Sequence, residues 1–116
     1  STSMPPSQAA AISAALALVP SRVQRLARVV HNLRRRLRAN GWKVVDSPAP
    51  IIVLPVGAED AAMECAAQAV ERGVIVSPIR YPSVPLGQAL LRLTAHADYS
   101  EDDIALIVDA IGPVPQ

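Results

Sequence analysis

The sequence predicts an α+β fold, in which helices cover one face of a small mixed sheet of about four strands. Three observations support this class. The chain has 116 residues, of which 51% are hydrophobic, and this suits one compact core. Its N-terminal third is Ala-rich and then carries apolar residues at helical spacing. Short apolar segments bounded by Pro or Gly follow, interspersed with two further helical segments.

The first element is predicted to be one long, kinked helical segment. Residues 7–19 are Ala-rich and favour a helix, and Pro20 is expected either to kink this helix or to begin a second one. The apolar stripe that continues to Asn40 consists of Val23, Leu26, Val30, Leu33 and Leu37. No apolar run is long enough to span a membrane.

The remainder is predicted to be a small α/β domain. Strands are predicted at 42–45, 51–56, 74–79 and 89–95, and helices at 59–72 and 100–111. Ser100 and Asp103 have the spacing of a capping box at the start of the last helix. We therefore divide the chain into residues 1–40, a helical segment that links from a larger domain outside this sequence, and residues 41–116, a C-terminal domain.

Arg92 is the most informative candidate, because it stands in the middle of an apolar predicted strand. A guanidinium in such a place is costly unless an anion meets it. Its planar fork matches a carboxylate in two-point contact. An ion pair with an acid of the same chain, or a strand edge that faces water, remains an alternative. Arg92 is thus the first candidate for binding a carboxylate ligand.

Hydroxyl residues are weaker candidates. Ser1 and Thr2 precede two prolines at the expected start of the first helix, where backbone N–H groups can bind a phosphate. Taken alone, they are better explained by a plain helix cap. Ser83 lies in a Pro-rich loop nine residues before Arg92, so it either lines the same pocket or is an ordinary turn residue.

The other reactive side chains indicate no catalytic or metal site. His31 is expected on the solvated face of the first helix, and His96 has no second His or Cys at a metal-ligand spacing. Cys65, the only cysteine, is expected to be buried and inert, and it forms no internal disulfide, which is compatible with a cytoplasmic location. Lys43, the only lysine, lacks the pocket context that a Schiff-base lysine needs.

The basic residues are concentrated in one segment, since eight of the eleven lie between Arg22 and Lys43. The cluster of Arg34, Arg35, Arg36 and Arg38 has the charge of a nucleic-acid-binding helix. No aromatic residues are interleaved with it, so a solvated helix face or a subunit contact is favoured. We expect neither a nucleic-acid partner nor a membrane partner.

Several of these segments resemble one known family, the PLP-dependent α-oxoamine synthases. Residues 1–8 are similar to the stretch that follows the cofactor lysine in that family. Residues 73–87 look like its strand and Pro-rich loop, and residues 89–94 with 100–104 look like its terminal strand and helix. The resemblance spans nearly the whole chain, and the block from Arg80 to Arg92 is its most specific part.

The resemblance implies the C-terminal small domain of a fold-type-I enzyme, whose cofactor, pyridoxal 5′-phosphate, is attached to a lysine outside this chain. The family condenses a small amino acid with an acyl-CoA and releases CO2 and CoA; L-alanine and pimeloyl-CoA are the expected pair. Ser1 and Thr2 match hydroxyl residues that reach the cofactor phosphate of the neighbouring subunit in a homodimer. Ser83 matches a residue that contacts substrate, and Arg92 matches the arginine that holds the amino-acid carboxylate.

Three departures from the family pattern leave open which member this is. Ser83 stands where Thr is usual, Leu90 where many members carry an additional Arg, and Tyr99 where His is common. Without the Schiff-base lysine, the chain on its own is expected to be inactive. A non-catalytic dimerisation module of similar fold and a basic-helix adaptor that binds nucleic acid are the competing hypotheses.

Overall fold

The α+β class predicted from the sequence is confirmed by the computed structural model, which describes the backbone of residues 6–115 and the side chains of residues 21–115. Its helices are α1 (Pro6–Ala39), α2 (Glu59–Glu71) and α3 (Glu101–Ile111), and its strands are β1 (Ile51–Gly57), β2 (Ser77–Ile79) and β3 (Ala89–Thr94). The strands form one sheet in the order β1-β3-β2, and both pairs are antiparallel.

The sheet differs from the prediction in two details, because it has three strands within the described residues and none of them is parallel to its neighbour. The segment expected to form a fourth strand, residues 42–45, has no strand partner. It is held by side chains instead: Trp42 is buried, and its Nε1 donates to the carbonyl of Gly112 at 2.9 Å. Local β propensity cannot make a strand where no neighbouring strand offers hydrogen bonds.

Helix α1 continues through Pro20 without interruption, so the alternative that a second helix begins there is wrong; the kink stays a prediction. The helix ends where the sequence indicated. The N–H of Gly41 donates to the carbonyl of Arg38 at 3.0 Å, and Gly41 has a φ of 93°. A Cβ at this position would come within 2.9 Å of Val114 Cγ1, so both the backbone angle and the packing require glycine.

The hydrophobic core lies on one face of the sheet only. Along β1 and β3 buried and exposed side chains alternate, which is the pattern of a sheet with one covered face. Helix α2 packs against the covered face, and α3 packs in turn against α2 and α1. The most buried strand residues are Ile52, Leu54, Ala89, Leu91 and Leu93. The opposite face, called the outer face below, carries Ile51, Val53, Arg92 and Thr94, all of them exposed.

Arg34 corrects the prediction that the basic cluster of α1 is a solvated face. It is only 4% exposed, and its guanidinium donates to the carbonyls of Val45 and Ala49 at 2.8 Å each and of Ile51 at 3.1 Å. Burial is the main reason why its pKa is lowered, with Arg38 adding to the effect. The guanidinium therefore ties α1 to the segment that leads into β1. Arg35 and Arg38, by contrast, are exposed as predicted.

Candidate substrate-binding site

Arg92 lies at the centre of the outer face. It is on the middle strand, where its cross-strand partners are Val53 on β1 and Ser77 on β2. Side chains directly opposite each other in an antiparallel pair share a face and have Cβ atoms about 4.5–5.5 Å apart. The guanidinium is therefore flanked by an apolar residue on one side and by a hydroxyl on the other.

A cavity of about 540 Å³ opens beside Arg92, between β3, the segment before β2 and helix α3. It forms because residues 73–76 do not pair with β3. The N–H of Val74 donates to Ala69 at the end of α2 instead, at 2.9 Å, so the chain reaches the sheet only at Ser77. The polar residues of the lining are Ser77, Arg92, Thr94, His96, Tyr99 and Asp103.

The charge of Arg92 is not neutralised within the described part of the chain. Residues 21–115 contain three ion pairs, all at the surface, which join Arg25 to Asp98, Arg38 to Asp46 and Arg72 to Asp109. None involves Arg92. The nearby acid, Asp103, is engaged with its own helix, since its Oδ2 accepts from the N–H of Ser100 at 2.9 Å. The guanidinium is thus available to an external anion; because Arg92 is exposed rather than buried, its role in binding a carboxylate stays a prediction.

Tyr99 and His96 form one wall of this cavity. Their rings meet edge to face, with centroids 5.3 Å apart, and the Tyr99 hydroxyl donates to the carbonyl of Thr94 at 3.5 Å. Burial, and secondarily Asp103, raises the pKa of Tyr99, so the phenol stays protonated and neutral at neutral pH. The wall next to Arg92 therefore adds no negative charge from Tyr99.

The other predicted site residues are not brought to Arg92. Ser83 is exposed in the loop from β2 to β3, where its N–H donates to the carbonyl of Arg80 at 2.9 Å, and it does not line the cavity. That loop joins the end of the sheet at the Ile79–Leu90 pair, whereas Arg92 pairs with the first residue of β2. Ser1 and Thr2 lie outside the described residues. The roles of these three hydroxyl residues stay predictions.

Ser77 is the residue that the sequence analysis missed. It was placed only within a predicted strand, and its relation to Arg92 depends on the register of two strands. The one feature of the sequence that marks Ser77 is its polarity. In the run from Val74 to Ile79, Ser77 is the single hydroxyl residue among apolar side chains and a proline.

No described residue fits the attachment of pyridoxal phosphate. Lys43 is exposed on the segment between α1 and β1, and it borders a different cavity from the one beside Arg92. Cys65 is buried, with Sγ 3.6 Å from the carbonyl of Ile111, and burial raises the pKa of its thiol, so it is an inert thiol as predicted. Among the residues described, no group of three or more His, Cys, Asp or Glu side chains is placed to hold a metal ion.

None of the helices in the described part of the chain could span a membrane. Helix α1 is long enough to cross a bilayer, but neither it nor α2 or α3 combines that length with a sufficiently apolar composition.

The family described as Aminotransferase class I and II matches residues 1–111 of the chain. Among individual proteins, the chain is 41% identical to the 8-amino-7-oxononanoate synthase of Aeromonas salmonicida (strain A449); the match covers 97% of this chain and 29% of that protein. The chain therefore spans less than a third of the length of this curated relative. The resemblance predicted from the residues is confirmed.

Two solved structures have the same fold as this chain. An 8-amino-7-oxononanoate synthase from Francisella tularensis superposes with a TM-score of 0.64 at 25% identity, over 76% of this chain and 25% of that one. A Sphingomonas wittichii serine palmitoyltransferase superposes with a TM-score of 0.67 at 24% identity, over 78% of this chain and 23% of that one. The second similarity concerns the fold alone.

Proposed function

We propose, on the premise that this chain belongs to the aminotransferase class I and II family, that it is part of a PLP-dependent acyltransferase. That enzyme condenses a small amino acid with an acyl-CoA and releases CO2 and CoA. The observation that carries the proposal is the unpaired guanidinium of Arg92 at the edge of a cavity, on a sheet face that nothing in the described chain covers. L-Alanine and pimeloyl-CoA are the proposed substrates, because the relatives that match along nearly the whole chain are 8-amino-7-oxononanoate synthases.

Arg92 has the role of binding the carboxylate of the amino acid. Its five N–H donors lie in a fixed plane, so two of them can meet both carboxylate oxygens at once. A two-point grip fixes the orientation of the amino acid as well as its position, and orientation decides which bond at the α-carbon is aligned to break. Its place on the central strand of the sheet holds the guanidinium on a rigid element.

The cofactor of the proposed enzyme is pyridoxal 5′-phosphate, which supplies an electron sink when bound. Its attachment lysine belongs to a part of the protein outside this chain, because the only lysine here is exposed and borders a different cavity. We assign to Ser1 and Thr2 contacts with the cofactor phosphate of the neighbouring subunit, and to Ser83 a contact with substrate. A cytoplasmic homodimer is the corresponding assembly.

There are two alternatives to this proposal: an enzyme of the same family with a different substrate specificity, and a domain without catalytic activity. Other α-oxoamine synthases, namely aminoketobutyrate ligase, 5-aminolevulinate synthase and serine palmitoyltransferase, use the same kind of carboxylate grip with other substrates. Assays that pair L-alanine, glycine and L-serine in turn with pimeloyl-CoA, acetyl-CoA, succinyl-CoA and palmitoyl-CoA separate these members. A non-catalytic dimerisation module of similar fold would turn over none of these pairs.

The test of the carboxylate role is the Arg92→Ala variant of the PLP-loaded enzyme. The KM for the amino acid should rise about 100-fold or more, because a charge-assisted two-point contact is lost. Cofactor affinity, measured by the absorbance of bound PLP, should stay within about twofold of the parent value. Arg28→Ala, which removes an exposed guanidinium from α1, is the control and should change neither quantity. Equal losses of amino-acid and cofactor binding would remove Arg92 from this role.

A further inference from the structure

We infer that Ser77 is a second substrate-binding residue, whose hydroxyl donates to the carboxylate held by Arg92. The inference rests on the proposed function and adds to it a residue that fixes how the carboxylate lies on the sheet. Ser77 is the first residue of β2 and the register partner of Arg92. Both residues line the cavity beside α3.

The geometry places the two polar groups on the same side of the sheet. Because they are directly opposite in an antiparallel pair, their Cβ atoms are within about 4.5–5.5 Å of each other. Each carboxylate oxygen has two lone pairs, so a carboxylate that meets the guanidinium with both oxygens can still accept a hydrogen bond from the Ser77 hydroxyl. Within residues 21–115 no hydrogen bond engages the Ser77 hydroxyl, and no carboxylate pairs with Arg92.

At the level of Arg92, the outer face carries a hydroxyl on one side and an apolar side chain on the other. On the β2 side stands the hydroxyl of Ser77, whereas on the β1 side the opposite residue is Val53. Ile51 extends the apolar side toward the end of the sheet, as the partner of Thr94. A ligand with one carboxylate and an aliphatic part is therefore oriented across the strands, with its carboxylate toward β2 and its carbon chain toward β1.

The position of Ser77 is fixed by the backbone. The chain joins the sheet at this residue, after a segment that is tied to the end of α2, and Pro78 follows it. Proline restricts the preceding residue to extended conformations. The Ser77 hydroxyl is thus held on a defined backbone at half-buried depth, where a hydrogen bond to a charged partner is stronger than at the open surface.

The experiment measures binding of L-alanine to the PLP-loaded enzyme, from the change in cofactor absorbance, for the parent and the Ser77→Ala variant. The dissociation constant should rise about tenfold, the effect of losing one hydrogen bond to a charged group. Ser77→Thr, which keeps the hydroxyl, should bind L-alanine within about threefold of the parent. The KM for the acyl-CoA should be unchanged in both variants. An equal loss in the alanine and threonine variants would overturn the inference.

Ethylamine, which has neither a carboxylate nor a carbonyl oxygen, separates a specific contact from a general distortion. Parent and Ser77→Ala should bind this amine equally, since the acceptor that Ser77 contacts is missing. A loss of affinity for the amine as large as that for L-alanine would also overturn the inference. Arg92→Ala distinguishes this outcome from failure of the proposed function. If Arg92→Ala weakens L-alanine binding and Ser77→Ala does not, only the role of Ser77 fails; if Arg92→Ala has no effect, the proposed carboxylate site itself fails.

Discussion

At the scale of single residues, the pKa shifts of Arg34, Cys65 and Tyr99 come mainly from burial and only secondarily from neighbouring charges. Cys65 illustrates this, because it is 7% exposed on the inner side of α2 and no basic residue stabilises its thiolate. Burial raises the pKa of its thiol, and Glu64 adds to the effect. A buried thiol of this kind prefers its neutral form in the folded state.

The pH dependence of stability follows from the sign of that shift. The pKa of Cys65 is higher in the folded than in the unfolded state, so the neutral thiol favours folding fully below the unfolded pKa, about 8.5, and loses this contribution as pH rises through the folded pKa. Urea unfolding at several pH values from 7.5 to 10 should therefore show stability falling above about pH 8.5. Cys65→Ala should flatten that fall. Tyr99, whose pKa is also raised, adds a fall that begins only near its unfolded pKa of about 10, so a series extended to about pH 11 should show a residual slope that Tyr99→Phe removes.

At the scale of elements, the periodic segments could be predicted from the sequence and the irregular ones could not. Helix α3 was predicted from its apolar spacing and from Ser100, and the predicted capping box is present: the Ser100 Oγ accepts from the N–H of Asp103 at 3.1 Å. β2 is only three residues long, although six were predicted. Val74 and Val76 are buried as a strand pattern suggests, but the hydrogen bond from Val74 to Ala69 keeps this part out of the sheet.

The candidate site and Arg34 show the same contrast between features that the sequence reveals and features that depend on tertiary contacts. Arg92 could be singled out because it is the one charged residue in the apolar run from Ala89 to Ala95, although the structure places it at an exposed position of the alternating strand. Ser77 acquires its meaning only from pairing across the sheet. The sequence does contain a signal that Arg34 is buried. It follows Val30 by four residues and precedes Leu37 by three, so it shares the buried face of α1 with both. Its three carbonyl partners lie 11 to 17 residues away, which sequence spacing cannot reveal.

The hydrogen bonds by which Arg34 ties α1 to the segment before β1, called the clamp below, yield a prediction at the scale of elements. In Arg34→Met the apolar volume of the side chain remains, but the carbonyls of Val45, Ala49 and Ile51 lose their donor. We expect the free energy of unfolding to fall by about 1.5–3 kcal/mol, because the part-buried hydrogen bonds from a charged donor, which hold α1 to this segment, are lost. Arg35→Met is the matched control; this exposed arginine bonds only to Asn32, and its loss should cost less than about 0.5 kcal/mol. Equal losses in urea unfolding of the two variants would contradict the clamp.

At the scale of the whole molecule, the described chain has one covered and one uncovered sheet face. Ile51 and Val53 are 47% and 42% exposed, and they flank Arg92 and Thr94 on the outer face. A sheet face that mixes exposed apolar side chains with an unpaired guanidinium is not typical of a domain that works alone. The chain also spans 29% of the relative it matches from Aeromonas salmonicida. The outer face is where we place the contact between this domain, its substrate and the rest of the enzyme.

The last prediction concerns residues 1–116 expressed by themselves. Their uncovered face should make the isolated chain self-associate, and Ile51→Thr with Val53→Thr should reduce this, because threonine keeps the β-branched shape that suits a strand while removing apolar surface. Size-exclusion chromatography with light scattering gives the mass of both forms over a range of concentrations. Val45→Thr is the control, since Val45 is 74% exposed but lies outside the sheet. If the control lowers association as much as the double variant does, exposed apolar area in general drives it. A specific effect of the double variant identifies the outer face as the surface through which the isolated chain associates.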